Sequence, residues 1–129
     1  MSRWTHVAAI FRLDSMGTID DEKIREIFGK EIKYDEIYEY YESDSDKLIK
    51  TLPMGSEGTL IMSIWHNPNK NSLASTTVSV FGDLRDYGGD DVEEIKKWFI
   101  DCCKQCLTRQ AIIQIDDEGV KDSIIIEYK

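Results

Sequence analysis

Residues 81–99 read FGDLRDYGGDDVEEIKKWF, a stretch that contains the end of a strand pattern, a Gly-Gly turn and the start of a helix pattern. It holds six acidic residues and three glycines. Glycines in front of a helix can cradle a phosphate on free backbone N–H groups. The acidic residues at positions 90–94 already occupy this positive helix end and would repel a phosphate. We therefore interpret the stretch as a strand that turns into an acid-capped helix.

A calcium loop is the other ligand site that this stretch could form. Such a loop needs oxygen ligands at alternate positions and a closing glutamate. Asp83, Asp86 and Asp90 do not follow this spacing, and no metal site is predicted. Arg85 lies between two of these acids, and we expect it to pair with Asp83 and Asp86 and to shape the turn.

The rest of the chain continues the alternation of strand and helix patterns. The predicted elements are, in chain order, a strand at 4–12, a helix from Asp20 to Gly29, strands at 59–66 and 76–84, a helix from Asp90 or Asp91, and strands at 109–116 and 122–128. This order predicts one α+β domain over residues 1–129, with a ferredoxin-like βαββαβ antiparallel sheet, two helices on one face and an extra C-terminal strand. The last strand would leave an open edge, through which two chains could form a homodimer.

Composition and charge restrict the possible partners. The chain of 129 residues has a formal net charge of −9, which argues against direct binding to nucleic acid. No apolar run is long enough to span a membrane. The three cysteines lie within the sequence CCKQC and do not form a disulfide framework, which indicates a reducing cytosol. We therefore expect a cytoplasmic protein whose partner offers a basic surface.

The cysteines and the two histidines give no catalytic or metal-binding pattern. Cys102 and Cys106 lie on the apolar stripe of the second helix, and Cys103 is expected to point away from it. His6 and His66 lie on separate predicted strands, and each is interpreted as a structural or surface residue. Because no nucleophile and base pair, phosphate loop or dinucleotide fingerprint is present, the sequence predicts a protein that is not an enzyme and needs no cofactor.

An insert between the first helix and the second strand is the main candidate for a binding surface. Residues 34–46 read YDEIYEYYESDSD, and a short helix is favoured here. Tyrosine is frequent at interface hot spots, and surrounding acids steer basic partners. The candidate protein-binding residues are Tyr34, Asp35, Glu36, Tyr38, Glu39, Tyr40, Tyr41, Glu42, Asp44 and Asp46. The alternative is that two tyrosines pack on the sheet while the acids are solvated.

A second candidate site would bind a small ligand. The loop LPMGSEG at 52–58 has two glycines that could let the backbone approach a ligand. A nucleotide signal would also need cationic or backbone contacts to its phosphates. The candidate ligand-binding residues are Arg85, Arg109, Gly55 and Gly58.

Four stretches of the sequence resemble small proteins from phages and prophages of Gram-positive bacteria: WTHVAAIFRLDS, LPMGSEG, VSVFGDLRDYGGDDVEEIKKWF and RQAIIQI. The resemblance covers most of the chain outside the tyrosine-acid insert. It implies an antagonist of a host defence system, such as an anti-CRISPR protein, and many such proteins act by stoichiometric binding.

These features predict a small acidic inhibitor that binds a basic or nucleic-acid-binding surface of a host defence protein by acidic mimicry. Two alternatives stay open. One is an oligomeric sponge for a nucleotide signal or another small ligand. The other is an immunity protein that neutralises a toxin, which makes the same physical prediction as the inhibitor because each binds another protein.

Overall fold

The computed structural model describes residues 3–31, 50–85, 91–120 and 122–129. Within these ranges the strands are β1 (Trp4–Asp14), β2 (Ile61–His66), β3 (Ala74–Arg85), β4 (Thr108–Asp117) and β5 (Ile124–Tyr128). The helices are α1 (Asp21–Phe28) and α2 (Asp91–Gln105), and a short 3-10 turn at Ser15–Gly17 follows β1. The short helix predicted in the tyrosine-acid insert, and the acids Asp86 and Asp90, lie outside the described residues.

The five strands form one antiparallel sheet in the order β2-β3-β1-β4-β5. β1 is central, and it pairs with β3 on one side and with β4 on the other. This is the ferredoxin-like strand order with one extra strand, β5, added beside β4. The predicted fold class is therefore confirmed.

The central strand shows why the chain folds into two layers. Residues of β1 alternate between a face buried under the helices and an opposite face, which we call the open face. Phe11 lies on the buried face, and its ring contacts those of Phe28, Trp98 and Phe99 at centroid distances of 4.7, 5.9 and 5.2 Å. Because Phe28 belongs to α1 and the other two rings to α2, this aromatic cluster attaches both helices to the central strand.

The end of α1 is fixed by polar contacts as well as by packing. Asp20 caps the first turn through its side chain, and the helix ends before Gly29, as the sequence predicts. The backbone of Gly29 has a φ of +116°, and a Cβ there would lie 2.4 Å from the carbonyl carbon of Thr51, so only glycine fits. The indole N–H of Trp98 donates a hydrogen bond of 2.8 Å to the carbonyl of Phe28, which lies at the helix end.

The three cysteines are free, and they belong to the core side of α2. Cys102 and Cys103 are buried and Cys106 is half-buried. The prediction that Cys103 points away from the core is wrong, because α2 contacts both α1 and β4 and so buries a face wider than one stripe. Burial raises the pKa of Cys103 to about 12 and also raises the pKa values of Cys102 and Cys106. Their thiolates are therefore disfavoured.

None of the helices in the described ranges is long and apolar enough to cross a membrane.

A matched pair of leucines tests this description of the core. Leu13 is 1% exposed on the buried face of β1, whereas Leu73 is 64% exposed. We expect Leu13→Ala to lower the free energy of unfolding by about 2–5 kcal/mol, because it leaves a cavity under the helices. Leu73→Ala should change it by about 0.5 kcal/mol or less. Urea unfolding followed by circular dichroism measures both values, and equal losses would contradict the assigned core.

Candidate ligand site

Three carboxylates and one histidine meet at one end of the sheet, where β1 begins and where β3 and β4 end. His6 of β1 lies opposite Asp83 of β3 and opposite Asp116 of β4 in the strand register. Glu118 directly follows β4, and its side chain also reaches His6. We call these four residues the acid end of the sheet.

His6 is held by carboxylates on both sides of its ring. Its Nδ1 lies 2.6 Å from an oxygen of Asp83, and its Nε2 lies 3.1 Å from an oxygen of Glu118. Only the protonated ring can donate from both nitrogens. The hydrogen bonds to Asp83 and then to Glu118 raise the pKa of His6. With His6 protonated, the acid end has three negative charges against one positive charge.

Backbone and side-chain contacts position Asp117, the last residue of β4, and Glu118, which follows it. The backbone N–H of Trp4 donates to the Glu118 carboxylate at 3.1 Å, and the backbone N–H of Glu118 donates to the carbonyl of Trp4 at 3.1 Å. Asp117 is buried and accepts two hydrogen bonds from the guanidinium of Arg3, at 2.7 and 2.8 Å. A carboxylate and a guanidinium held in this fork geometry form one of the stronger polar contacts in proteins. These contacts therefore join Glu118 and the end of β4 to the start of β1.

A shallow depression adjoins the acid end on the open face. Ala8 lies between Phe81 of β3 and Gln114 of β4 in the strand register. Because the alanine side chain is much smaller than its two neighbours, the surface is lower at this position. The residues around this depression include His6, Val7, Ala8, Gln114 and Asp116. Asp116 is the carboxylate among these residues, and the exposed ring of Phe81 lies on the neighbouring strand, beside Ala8 in the register.

The structure brings three of the four predicted ligand-binding residues together. Ser56 in the loop at 52–58 donates its backbone N–H to the carbonyl of Arg85 at 3.1 Å. Gly55 and Gly58 lie in the same loop, and a Cβ on Gly58 would lie 2.1 Å from the carbonyl oxygen of Asp83. The two glycines therefore let the loop approach β3 closely. The guanidinium of Arg85 pairs with Glu57 at 2.7 Å, a partner that the sequence did not predict.

The fourth predicted ligand-binding residue, Arg109, lies at the opposite end of the sheet. β4 runs antiparallel to β1, so the start of β4 lies beside the end of β1. Arg109 accordingly pairs with Asp14 at 2.9 Å. The backbone N–H of Met16 and the guanidinium of Arg109 both lower the pKa of Asp14. The four residues therefore do not form one site.

The described residues contain no group of three or more histidine, cysteine, aspartate or glutamate side chains that could hold a metal ion. The other predicted binding surface, the tyrosine-acid insert, lies outside the described ranges.

Comparison with known proteins gives one distant similarity. No family model and no curated protein matches the chain. A solved structure of a phage SAM lyase in its apo state is similar, with 13% sequence identity and a TM-score of 0.46 over 98% of this chain and 91% of the other. The similar protein is an enzyme, which contradicts the prediction that the chain is not an enzyme, and we withdraw that prediction. It is also a phage protein, as are the proteins that the sequence resembles.

The acid end should make the stability of the protein depend on pH. Protonated His6 gains two hydrogen bonds on folding, so its contribution is complete below its unfolded pKa of about 6.5 and is lost as the pH rises through the higher folded value. We expect His6→Gln to remove this part of the pH dependence. In an NMR titration, Asp83→Asn should lower the pKa of His6, and Asp101→Asn on α2 should not. An unchanged titration of His6 in Asp83→Asn would contradict the assigned contact.

Proposed function

We propose that the chain is a phage-type anti-defence protein that binds a small organic cation of the SAM (S-adenosylmethionine) class at the acid end of the sheet. The observation that carries the proposal is the placing of three carboxylates around His6, beside the depression at Ala8. The sequence resemblance implies the phage setting and the bacterial host, and the cysteine pattern predicts the cytoplasm of that host.

The charge of the acid end selects the charge of the ligand. Even with His6 protonated, the carboxylates of Asp83, Asp116 and Glu118 leave a net negative charge, which attracts cations and repels phosphate. The nearby guanidinium of Arg85 already contacts Glu57. A phosphate-bearing nucleotide signal, which the sequence suggested as an alternative ligand, is therefore disfavoured at this end.

An exposed aromatic ring on the open face adds a second criterion for the ligand. Phe81 lies two residues before Asp83 on the same face of β3, and its ring is exposed. An aromatic ring attracts cations on its face and stacks with other rings. SAM carries a sulfonium, an ammonium and an adenine ring. Its cations would lie beside the carboxylates while its adenine ring would pack on Phe81.

Binding of SAM to the wild type and to a charge variant tests this function. We expect the double variant Asp83→Asn with Asp116→Asn to bind SAM about tenfold more weakly, because two partly exposed charge contacts are lost. S-adenosylhomocysteine, which has a neutral sulfur in place of the sulfonium, should also bind more weakly. Isothermal titration calorimetry measures the affinities, and chromatography of the same samples shows whether SAM is cleaved.

The control is the double variant Glu22→Gln with Glu26→Gln, which removes the same charge from exposed positions of α1. It should bind SAM as the wild type does. Equal affinities for SAM in the wild type and the Asp83 and Asp116 variant would refute the proposed site.

A second candidate function is inhibition of a host defence protein, of which a CRISPR effector is one example, through the tyrosine-acid insert. The observation that favours it is the composition of residues 34–46, which contain four tyrosines and six acids within a chain of net charge −9. Such a surface would approach a basic groove by electrostatic steering. It lies apart in sequence from the residues of the acid end, so the two functions can be tested separately.

Charge reversal in the insert tests this second function. We expect the triple variant of Glu36, Glu39 and Glu42 to lysine to lose its target from a bacterial lysate that contains active defence systems, because the attracting field is reversed. Capture by the wild type should fall at high salt.

The control carries the same charge change on exposed residues of the helices, in a triple variant to lysine at Glu22, Glu26 and Glu93. If the insert variant and this control capture the target equally well, the insert is not the binding surface.

A further inference from the structure

We infer that two copies of this chain pack through their open faces into a two-fold symmetric dimer. The open face carries an apolar group whose members are 40–61% exposed: Ile10, Ile61, Phe81, Ile112 and Ile125. An apolar area of this kind, with polar residues around it, is typical of an interaction surface. The strand register and the charges of the face indicate that the partner is a second copy.

Two neighbouring rows of side chains cross the middle of the open face. In the strand order β2-β3-β1-β4-β5, the first row is Ile61, Phe81, Ala8, Gln114 and Ile125. The second row is Ser63, Ser79, Ile10, Ile112 and Glu127. On β2, β3 and β1 each large side chain of one row therefore lies beside a small side chain of the other.

We place a two-fold axis between these two rows. The axis lies in the plane of the interface and runs perpendicular to the strands. With this axis, the open face is complementary to a second copy of itself. This axis places the first row of one copy against the second row of the other, in the same strand order. Ala8 then faces Ile10 of the second copy, and Phe81 faces Ser79 of the second copy. Large side chains thus enter spaces left by small ones, as in the aligned packing of two sheets.

The same axis also matches charges. It places the row of His6, Asp83 and Asp116 against the row of Arg12, Thr77 and Gln110 of the second copy. The exposed guanidinium of Arg12 would then face His6 and lie between the carboxylates of Asp83 and Asp116, whose two charges outweigh the charge of His6, and symmetry repeats this contact. An axis parallel to the strands would instead set acid end against acid end. The contacts of Arg12 therefore favour one orientation and offset part of the repulsion between two acidic chains.

The dimer would also compete with the proposed ligand, a point that rests on the proposed function. Asp83 at the acid end is 62% exposed in the single chain and is therefore accessible to a ligand or to a second copy. In the dimer, Ile10 of the second copy would fill the depression at Ala8. Its Arg12 would lie against the carboxylates that the cations of SAM would also contact, so SAM should shift the equilibrium towards the monomer.

Analytical ultracentrifugation of the full chain tests the dimer. We expect the wild type to sediment as a dimer and Ile10→Asp to sediment as a monomer at the same concentration, because the aspartate would be buried at the centre of the interface. The matched control is Met16→Asp, which adds the same charge to an exposed apolar residue of the 3-10 turn. It should remain a dimer. A monomeric wild type, or a dimeric Ile10→Asp that retains its circular dichroism spectrum, would overturn the inference.

A charge exchange separates this dimer from one formed by edge pairing of β5. Arg12→Glu should raise the dimer dissociation constant at least tenfold at low salt, and Asp116→Arg in the same chain should restore it, because Asp116 flanks the position that Arg12 of the second copy would occupy. An edge dimer would not respond to either change, and that result would also overturn the inference.

Titration with SAM in the same experiments distinguishes this inference from the proposed function. A wild type that dimerises, together with a monomeric Ile10→Asp that does not bind SAM, supports the dimer and refutes the ligand. A monomeric wild type that binds SAM supports the ligand and refutes the dimer.

Discussion

The packing of Phe11 against both helices is the contact on which the rest of the structure depends. Its ring touches Phe28 at the end of α1 and two rings of α2, so a single residue of the central strand fixes both helices on one side of the sheet. The indole of Trp98 adds a hydrogen bond to the carbonyl of Phe28. Once the helices cover this side, strand alternation leaves every second residue of β1 on the open face, where Ala8, Ile10 and Arg12 follow one another.

The position of the acid end follows from the same central strand. β1 is antiparallel to both of its neighbours, so its first residues lie beside the last residues of β3 and β4. Both of these strands carry an acidic residue near their last residue, Asp83 on β3 and Asp116 on β4. His6 therefore comes between carboxylates that are far away in sequence, and burial of the neighbouring Asp117 with Arg3 holds the end of β4 in place. The order and direction of the strands bring this cluster together, and no local sequence motif contains it.

This origin explains how much could be predicted from the sequence. Periodicity and turn residues predict the elements and hence the ferredoxin-like order, because each pattern is local. Because no residue next to His6 in the sequence indicates a site, the local pattern predicts only a structural or surface residue. The predicted strand order already contained the signal, since it places His6 beside the acidic ends of β3 and β4. The same reasoning would have separated Arg109 from Arg85, because the two residues lie at opposite ends of the sheet. The pairing of Arg85 with Glu57 depends on how the loop at 52–58 approaches β3. No sequence pattern predicts such a contact.

The distribution of charge, more than its sum, decides what each surface can bind. A net charge of −9 favours a basic partner for the chain as a whole, and the tyrosine-acid insert has the composition for such a partner. The open face is different, because it combines an acid end with an apolar middle and an arginine at the far end of β1. A surface with opposite charges at its two ends is complementary to its own copy when the copies are antiparallel. The same acid end that suits a small cation is therefore the part of the face that a second copy would cover, so ligand binding and self-association depend on the same three carboxylates.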